Sequence, residues 1–275
     1  MELIVFDLDG TLLNGQSVIS DYTRDTLRRL SDKDIAYTVA TGRTLHASRD
    51  VLLDQGFLLP QAYKNGVVIW HPDQRHFTHR NILTTDELAA VTAACLSQGL
   101  APLVFTLEGN EELSVYHPPL RTPAEKHVVT EYSIRRGLKA HPLTEIPDGA
   151  EISNISAIGE KALVSAVIDF VEDEAHLIAY SGVALEAEDL YWLDIHHSDA
   201  SKGSAIGTLK ELTGASRVIC FGDSDNDASM FKAADECYAP ANAKASIQAL
   251  ATEIIGHHDE DGIARFLRQR YSLDY

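Results

Sequence analysis

Two acids close the first apolar run of the chain. In IVFDLDGTLLNG (4–15), Ile4, Val5 and Phe6 lead into Asp7, and Asp9 follows two residues later. Burying a carboxylate is costly unless a partner offsets the loss of water. Acids at the mouth of a buried strand therefore require compensation from elsewhere in the chain. Residues two apart on a strand point to the same side, roughly 6–7 Å apart, and Gly10 lets the chain bend. Both carboxylates can then face one cavity, where one attacks and the other moves protons. A carboxylate is a competent nucleophile toward phosphorus. The competing reading is a pair of solvated acids in a loop.

Three further stretches carry residues suited to the same chemistry. In VATGR, Thr41 follows a strand and precedes a helix. Its hydroxyl, the Gly42 amide and the helix N-terminus would form an anion cradle, or Thr41 is simply a helix cap. In SDASKGSAI, Lys202 opens a helix among small residues, from where it can reach a phosphate as a point charge or remain solvated. In CFGDSDND, Gly222 is followed by Asp223, Asp225 and Asp227, with Asn226 between the last two. Such a cluster repels itself unless a cation sits there, and oxygen ligands favour a hard divalent ion, Mg²⁺ above others. A calcium-type loop is the alternative, but the spacing lacks the glutamate at position 12 that an EF-hand requires.

These residues need strand ends to position them. Apolar strands at Leu3–Phe6, Ile35–Thr41 and Arg217–Phe221 alternate with helical spacing at Ser20–Asp34, from Leu45 to Gln55, and at Ser204–Leu212. Further helices are expected at Asn226–Ala234, at Ala243–Ala251 and from Gly262 to Arg270, with strands near Cys237–Ala239 and at EIIG; VVIW and RHFTH read as a hairpin. The alternation predicts an α/β fold, a Rossmann-like parallel sheet with helices on both faces. Ligands of such sheets bind at the carboxyl ends of the strands, where Asp7, Thr41 and Asp223 all fall. The middle of the chain reads differently. A helix with a capping box from Thr84 to Glu87 opens an αββαβαββ unit whose first two strands flank EGNE (108–111). The chain thus divides into a discontinuous core, 1–81 and 195–275, and an inserted α+β domain, 82–194.

Bulk properties narrow the function. The formal charge of −18 offers no basic face for nucleic acid and repels anions at long range, so a phosphate ester would need local cations. No apolar run approaches the ~20 residues of a membrane span. MELIVFDLDG lacks the basic start of a signal peptide. Three scattered cysteines fit a reduced, cytoplasmic protein. In HPDQRHFTH, His71, His76 and His79 lack a fourth ligand, so no zinc site is expected. His196 and His197 read as structural, and Tyr191 and Trp192 as core. The sequence is silent on oligomeric state.

DLDGT, TGR, KG and GDSDND, in this order, resemble the four motifs of the haloacid dehalogenase-like hydrolase superfamily. Only 31 residues separate Asp9 from Thr41, whereas 160 lie between Thr41 and Lys202. A cap in that second slot is similar to the Cof-type phosphatases with a C2-type cap, and KNG (64–66), LDIHHSDASKG and ANAKASIQALA…DEDGIARFL support the likeness. Pro240, where methionine is expected, and the additional acid Asp225 depart from the pattern in ways that bear on pocket shape. The resemblance implies that Asp7 is the nucleophile and Asp9 the general acid and base. Thr41, Gly42, Lys202 and Asn226 would bind phosphate. Mg²⁺ would be held by Asp7, the Asp9 carbonyl and Asp223, with Asp227 supporting; Arg43 and Asn65 would contact substrate. The implied activity is hydrolysis of small soluble phosphate monoesters, such as sugar phosphates or phosphorylated cofactors. A phosphomutase with a similar cap and a non-catalytic phosphometabolite-binding protein remain alternatives.

Overall fold

The structure, a computed structural model, describes residues 1–108, 111–184 and 187–274. It divides into two compact units, 1–79 with 200–275, and 80–199. In the first unit, β1 (Glu2–Phe6) leads through a tight turn to α1 (Asp21–Asp32), β2 (Ala36–Val39) and α2 (Leu45–Leu52). Short β3 (Gln61–Tyr63), β4 (Val68–His71) and β5 (His76–Arg80) form a small sheet of their own in that order. The hairpin expected from VVIW and RHFTH is present, with β3 as a third strand too short to show as an apolar run.

The second unit contains α3 (Thr85–Ser97), β6 (Leu103–Glu108), β7 (Glu111–His117), α4 (Pro123–Arg136), β8 (Lys139–Pro142), β9 (Glu151–Glu160), α5 (Lys161–Glu172), β10 (Leu177–Ala184) and β11 (Ala187–His197). Gly109 and Asn110 of the expected EGNE turn lie outside the described residues. Thr84 caps α3, and the reciprocal bonds with Glu87 complete the capping box. The order is αββαββαββ, one strand more than the sequence suggests. The additional strand, β8, is an edge strand with largely exposed side chains and a terminal proline, and such a strand carries no apolar pattern. It pairs parallel with β7, which the α4 crossover permits. Strand alternation gives this sheet two apolar faces. Val104, Tyr116, Ile155 and Leu193 pack with Val91 of α3 and Val167 of α5. Leu103, Phe105 and Val115 pack with Val129 of α4 and Leu138. The unit runs on to Asp199 rather than stopping at 194, because β11 stays paired with β10 as far as His197.

The chain returns to the first unit with α6 (Lys202–Thr213), β12 (Arg217–Phe221), α7 (Ala228–Ala233), β13 (Glu236–Pro240), α8 (Ala245–Gln248), β14 (Glu253–Ile255) and α9 (Gly262–Tyr271). Among the described residues the main sheet has the order β14-β13-β12-β1-β2, and every pair is parallel. Leu3 to Phe6 are all buried, as a strand covered on both faces must be. All three cysteines are buried and unpaired. No helix among the described residues is long and apolar enough to cross a membrane.

Candidate active site at the carboxyl ends of the parallel strands

Asp7 ends β1, and its amide donates to the Phe221 carbonyl at the end of β12 at 2.9 Å. The chain then makes a five-residue turn in which the Leu13 amide reaches back to the Leu8 carbonyl. Gly10 sits in this turn at φ +70°, and a Cβ there would lie 2.5 Å from Asp223 Oδ2. Only glycine fits both the left-handed backbone and that contact.

Lys202, the first residue of α6, is completely buried. Its Nζ donates to Asp7 Oδ1 and to Asp227 Oδ1, each at 2.6 Å. The second oxygen of Asp227 accepts the amides of Asp223 (2.9 Å) and Ser224 (3.0 Å). A Cβ on Gly222 would come within 2.5 Å of the Asp227 carboxyl carbon, so the glycine of CFGDSDND makes room for that carboxylate. Burial pushes the Asp7 carboxyl well above the usual carboxylate range; Lys202 opposes this, and repulsion from Asp227 and Asp223 adds to it. Burial likewise raises Asp223, to about 6, with repulsion from Asp227 adding and the Thr11 hydroxyl, 3.2 Å away, resisting. Burial alone would lower the Lys202 ammonium, but attraction to Asp227 and Asp7 outweighs it and holds the lysine charged. One ammonium thus bonds two carboxylates, with Asp223 close by as a third acid.

Asp7, Asp223 and Asp227 each offer an oxygen, all within 4.8 Å of one another. Hard anionic oxygens short of positive charge fit a small divalent cation, and the residues able to hold one are Asp7 and Asp223 with Asp227 behind them.

The second half of the site gathers around β2. Thr41 is buried and its amide donates to the Ala62 carbonyl at 3.0 Å. It does not cap the following helix: Thr44 does, accepting from the Ala47 amide. The Thr41 hydroxyl instead accepts the Arg43 amide at 3.1 Å. The KNG turn lies alongside. Lys64, Asn65 and Gly66 are all left-handed, at φ +49°, +55° and +96°, a cost that a chain retains where the surroundings enforce it. The Lys64 amide bonds the Arg43 carbonyl and the Asn65 amide bonds the Thr41 carbonyl. Asn226 Nδ2 donates to Asn65 Oδ1 at 2.9 Å. A Cβ on Gly42 would lie 3.3 Å from that same oxygen. Thr41, Gly42, Asn65 and Asn226 are therefore brought together.

Asp9 has a side-chain partner that the sequence did not suggest. Its side chain is 56% exposed and accepts a bidentate pair from Arg43, Nε to Oδ2 at 2.7 Å and Nη2 to Oδ1 at 2.5 Å. β1 ends at Phe6 and the turn begins at Leu8, so the two-residue rule of strands does not extend to Asp9. Arg43, expected to contact substrate, is occupied by this acid. Asp225 also lies off the cluster. It is exposed and bonds Lys244 at 2.6 Å and Ser246 at 3.2 Å, which lower its carboxyl. Asn242, read from the sequence only as part of ANA, donates to the Gly10 carbonyl at 2.7 Å. His71 stacks on His76, and His196 is buried against Tyr180. Tyr191 packs on the core of the second unit, but Trp192 is 41% exposed and is not core as its apolar strand suggested.

A family model described as haloacid dehalogenase-like hydrolase matches residues 4–267. The chain is 26% identical to a 5-amino-6-(5-phospho-D-ribitylamino)uracil phosphatase of Bacillus subtilis, with all of both chains covered. It is 28% identical to an HMP-PP phosphatase of Enterobacter, covering 96% of this chain and 94% of the relative. A crystal structure of a haloacid dehalogenase-like hydrolase from Bacteroides thetaiotaomicron superposes with a TM-score of 0.77 at 23% identity, covering 98% and 99% of the two chains.

The crowding of carboxylates has a signature in stability. Asp223 binds its proton more tightly folded than unfolded, so its contribution falls as pH rises from the ordinary carboxylate range through about 6. In chelator, Asp223→Asn should therefore melt above the wild type at pH 7.5, and this gain should shrink by pH 5, where Asp223 is itself neutral. A gain that grows toward pH 5 would contradict the assignment.

Proposed function

The chain belongs to the haloacid dehalogenase-like hydrolases, of the Cof type, and from that premise we propose a Mg²⁺-dependent phosphatase that cleaves small soluble phosphate monoesters through a phosphorylated Asp7. Its named relatives are phosphatases, and hydrolysis of phosphoric monoesters is the activity of this enzyme. The observation that carries the mechanism is Asp7 held by a fully buried lysine beside two further acids. Lys202 fixes one oxygen of Asp7 and leaves the other for attack.

In the first step Asp7 attacks phosphorus, the ester P–O bond breaks, and the departing oxygen takes a proton from Asp9. In the second, water attacks the phosphorus of the acyl phosphate and gives its proton to Asp9. The P–O bond to Asp7 breaks, and phosphate leaves. Thr41, Gly42, Lys202 and Asn226 bind the phosphoryl oxygens. Asp7, the Asp9 carbonyl and Asp223 would hold Mg²⁺, which when bound shields the negative charge of carboxylates and phosphoryl group from one another. Asp9 must give a proton to the leaving oxygen in the first step, yet Arg43 engages both of its carboxylate oxygens. The Arg43 pair therefore loosens as substrate arrives, which frees Arg43 for the phosphoryl group.

The second unit, inserted between the Thr41 and Lys202 motifs, selects the leaving group. A sugar phosphate or phosphorylated cofactor is the substrate class, and the relatives' names describe phosphorylated small molecules. Three buried thiols suit the reducing cytoplasm.

Two outcomes are expected. Phosphate release from an aryl phosphate should stop in chelator and return with Mg²⁺; undiminished release in chelator would remove the cation from the scheme. Asp9→Asn should lose ~10²–10⁴-fold in turnover yet accumulate phosphoenzyme from an activated aryl phosphate, which needs little protonation to depart. Asp7→Asn should form none. Mass spectrometry after rapid acid quench locates the added group, and a label anywhere but Asp7 would refute the nucleophile.

A further inference from the structure

The loop between β13 and α8 touches both acidic turns. Asn242 Nδ2 donates to the Gly10 carbonyl at 2.7 Å, while Asn242 Oδ1 accepts the His258 amide at 3.1 Å. Two residues on, the Lys244 amide donates to the Asp223 carbonyl at 2.9 Å. One short loop thus grips main chain on either side of the acid cluster: the turn that leaves Asp7, and the turn that bears Asp223.

What it grips on the first side is sensitive to displacement. Gly10 lies directly against Asp223, with room for no Cβ, and the Thr11 hydroxyl bonds the Asp223 carboxylate. The Asp9 carbonyl belongs to the peptide that enters Gly10, so any rotation at Gly10 moves that carbonyl relative to Asp223. The turn is fastened again further on. His258 Nδ1 lies 2.7 Å from the Leu13 carbonyl, and since a carbonyl only accepts, that ring nitrogen carries the proton. Asp259 Oδ1 accepts the Gly15 amide at 2.5 Å. Asn242 is distinguished from these two by where it attaches, at Gly10, one residue after Asp9.

We propose that Asn242 is a positioning residue for the cation site. By tying the Gly10 carbonyl to the loop that also ties Asp223, it sets the separation of the Asp9 main chain from Asp223, and with it the affinity for the cation. It touches neither cation nor substrate. The proposal rests on the cation reading above.

Asn242→Ala removes both side-chain bonds. Asn242→Asp keeps the acceptor for His258 and loses the donor to Gly10. Mg²⁺ is titrated against the melting temperature of each protein without substrate, and kcat and KM for an aryl phosphate are taken at saturating Mg²⁺. Both variants should need about tenfold more Mg²⁺ for half the melting shift, the scale of losses when groups behind metal ligands are removed, with KM little changed. Lower melting with an unchanged Mg²⁺ midpoint would mean a merely structural role and overturn the proposal. Asn242→Asp behaving as wild type would also overturn it, because the Gly10 bond would then not matter. Should Asn242→Ala fail to fold, Asn242→Asp alone decides. A wild type whose melting ignores Mg²⁺ would overturn the cation reading itself and the proposal with it, an outcome distinct from variants that match a responsive wild type.

Discussion

Lys202 lies wholly inside the protein with its ammonium 2.6 Å from carboxylates on both sides. Withdrawing those ions from water costs several kcal/mol each, and their mutual attraction repays this only with close geometry and further bonds to the remaining atoms. The further bonds are present on one side. Asp227 spends its second oxygen on two main-chain amides and is thereby satisfied. Among the described residues Asp7 has no such second set, and burial with repulsion from Asp227 and Asp223 raises its carboxyl. The site is thus stable enough to fold around a lysine yet left short of positive charge where a cation and a phosphate would meet. The helix start that carries Lys202, the glycine that admits Asp227 and the strand that delivers Asp7 all follow from that arrangement.

The same logic explains why glycine recurs. Gly10 lies against Asp223 and Gly222 against Asp227, so each carboxylate occupies space that a side chain would take. A Cβ on Gly66 would stand 2.6 Å from the Ser201 carbonyl, which brings the strained KNG turn close to the start of α6. Acidic side chains held in backbone niches cannot swing away from one another. Repulsion is held in place, and a hard divalent cation among these oxygens would relieve it.

Much of this was legible in the sequence. Asp7, Thr41, Lys202 and Asp223 stand at strand ends or helix starts that apolar runs and small residues announce, and parallel pairing brings them to one edge of the sheet. The partner of Asp9 was not foreseen, because the bidentate Arg43 pair is a tertiary contact across 34 residues that no local pattern encodes. β8 escaped because an edge strand of four residues has nothing apolar to bury. Trp192 misled because an aromatic in an apolar strand can point to either face. Asn242 lies 232 residues from the glycine it holds, and a polar side chain bonded to a distant main-chain carbonyl leaves no periodic trace.

One buried lysine compensates both Asp7 and Asp227, and unfolding Lys202→Met in denaturant, in chelator at pH 7.5, tests this directly. Removing the shared partner should cost roughly 3–5 kcal/mol of unfolding free energy, and adding Asp227→Asn to that variant should restore a large part of it by removing one stranded charge. A Lys202→Met protein as stable as the wild type, or one that Asp227→Asn destabilises further, would contradict the account.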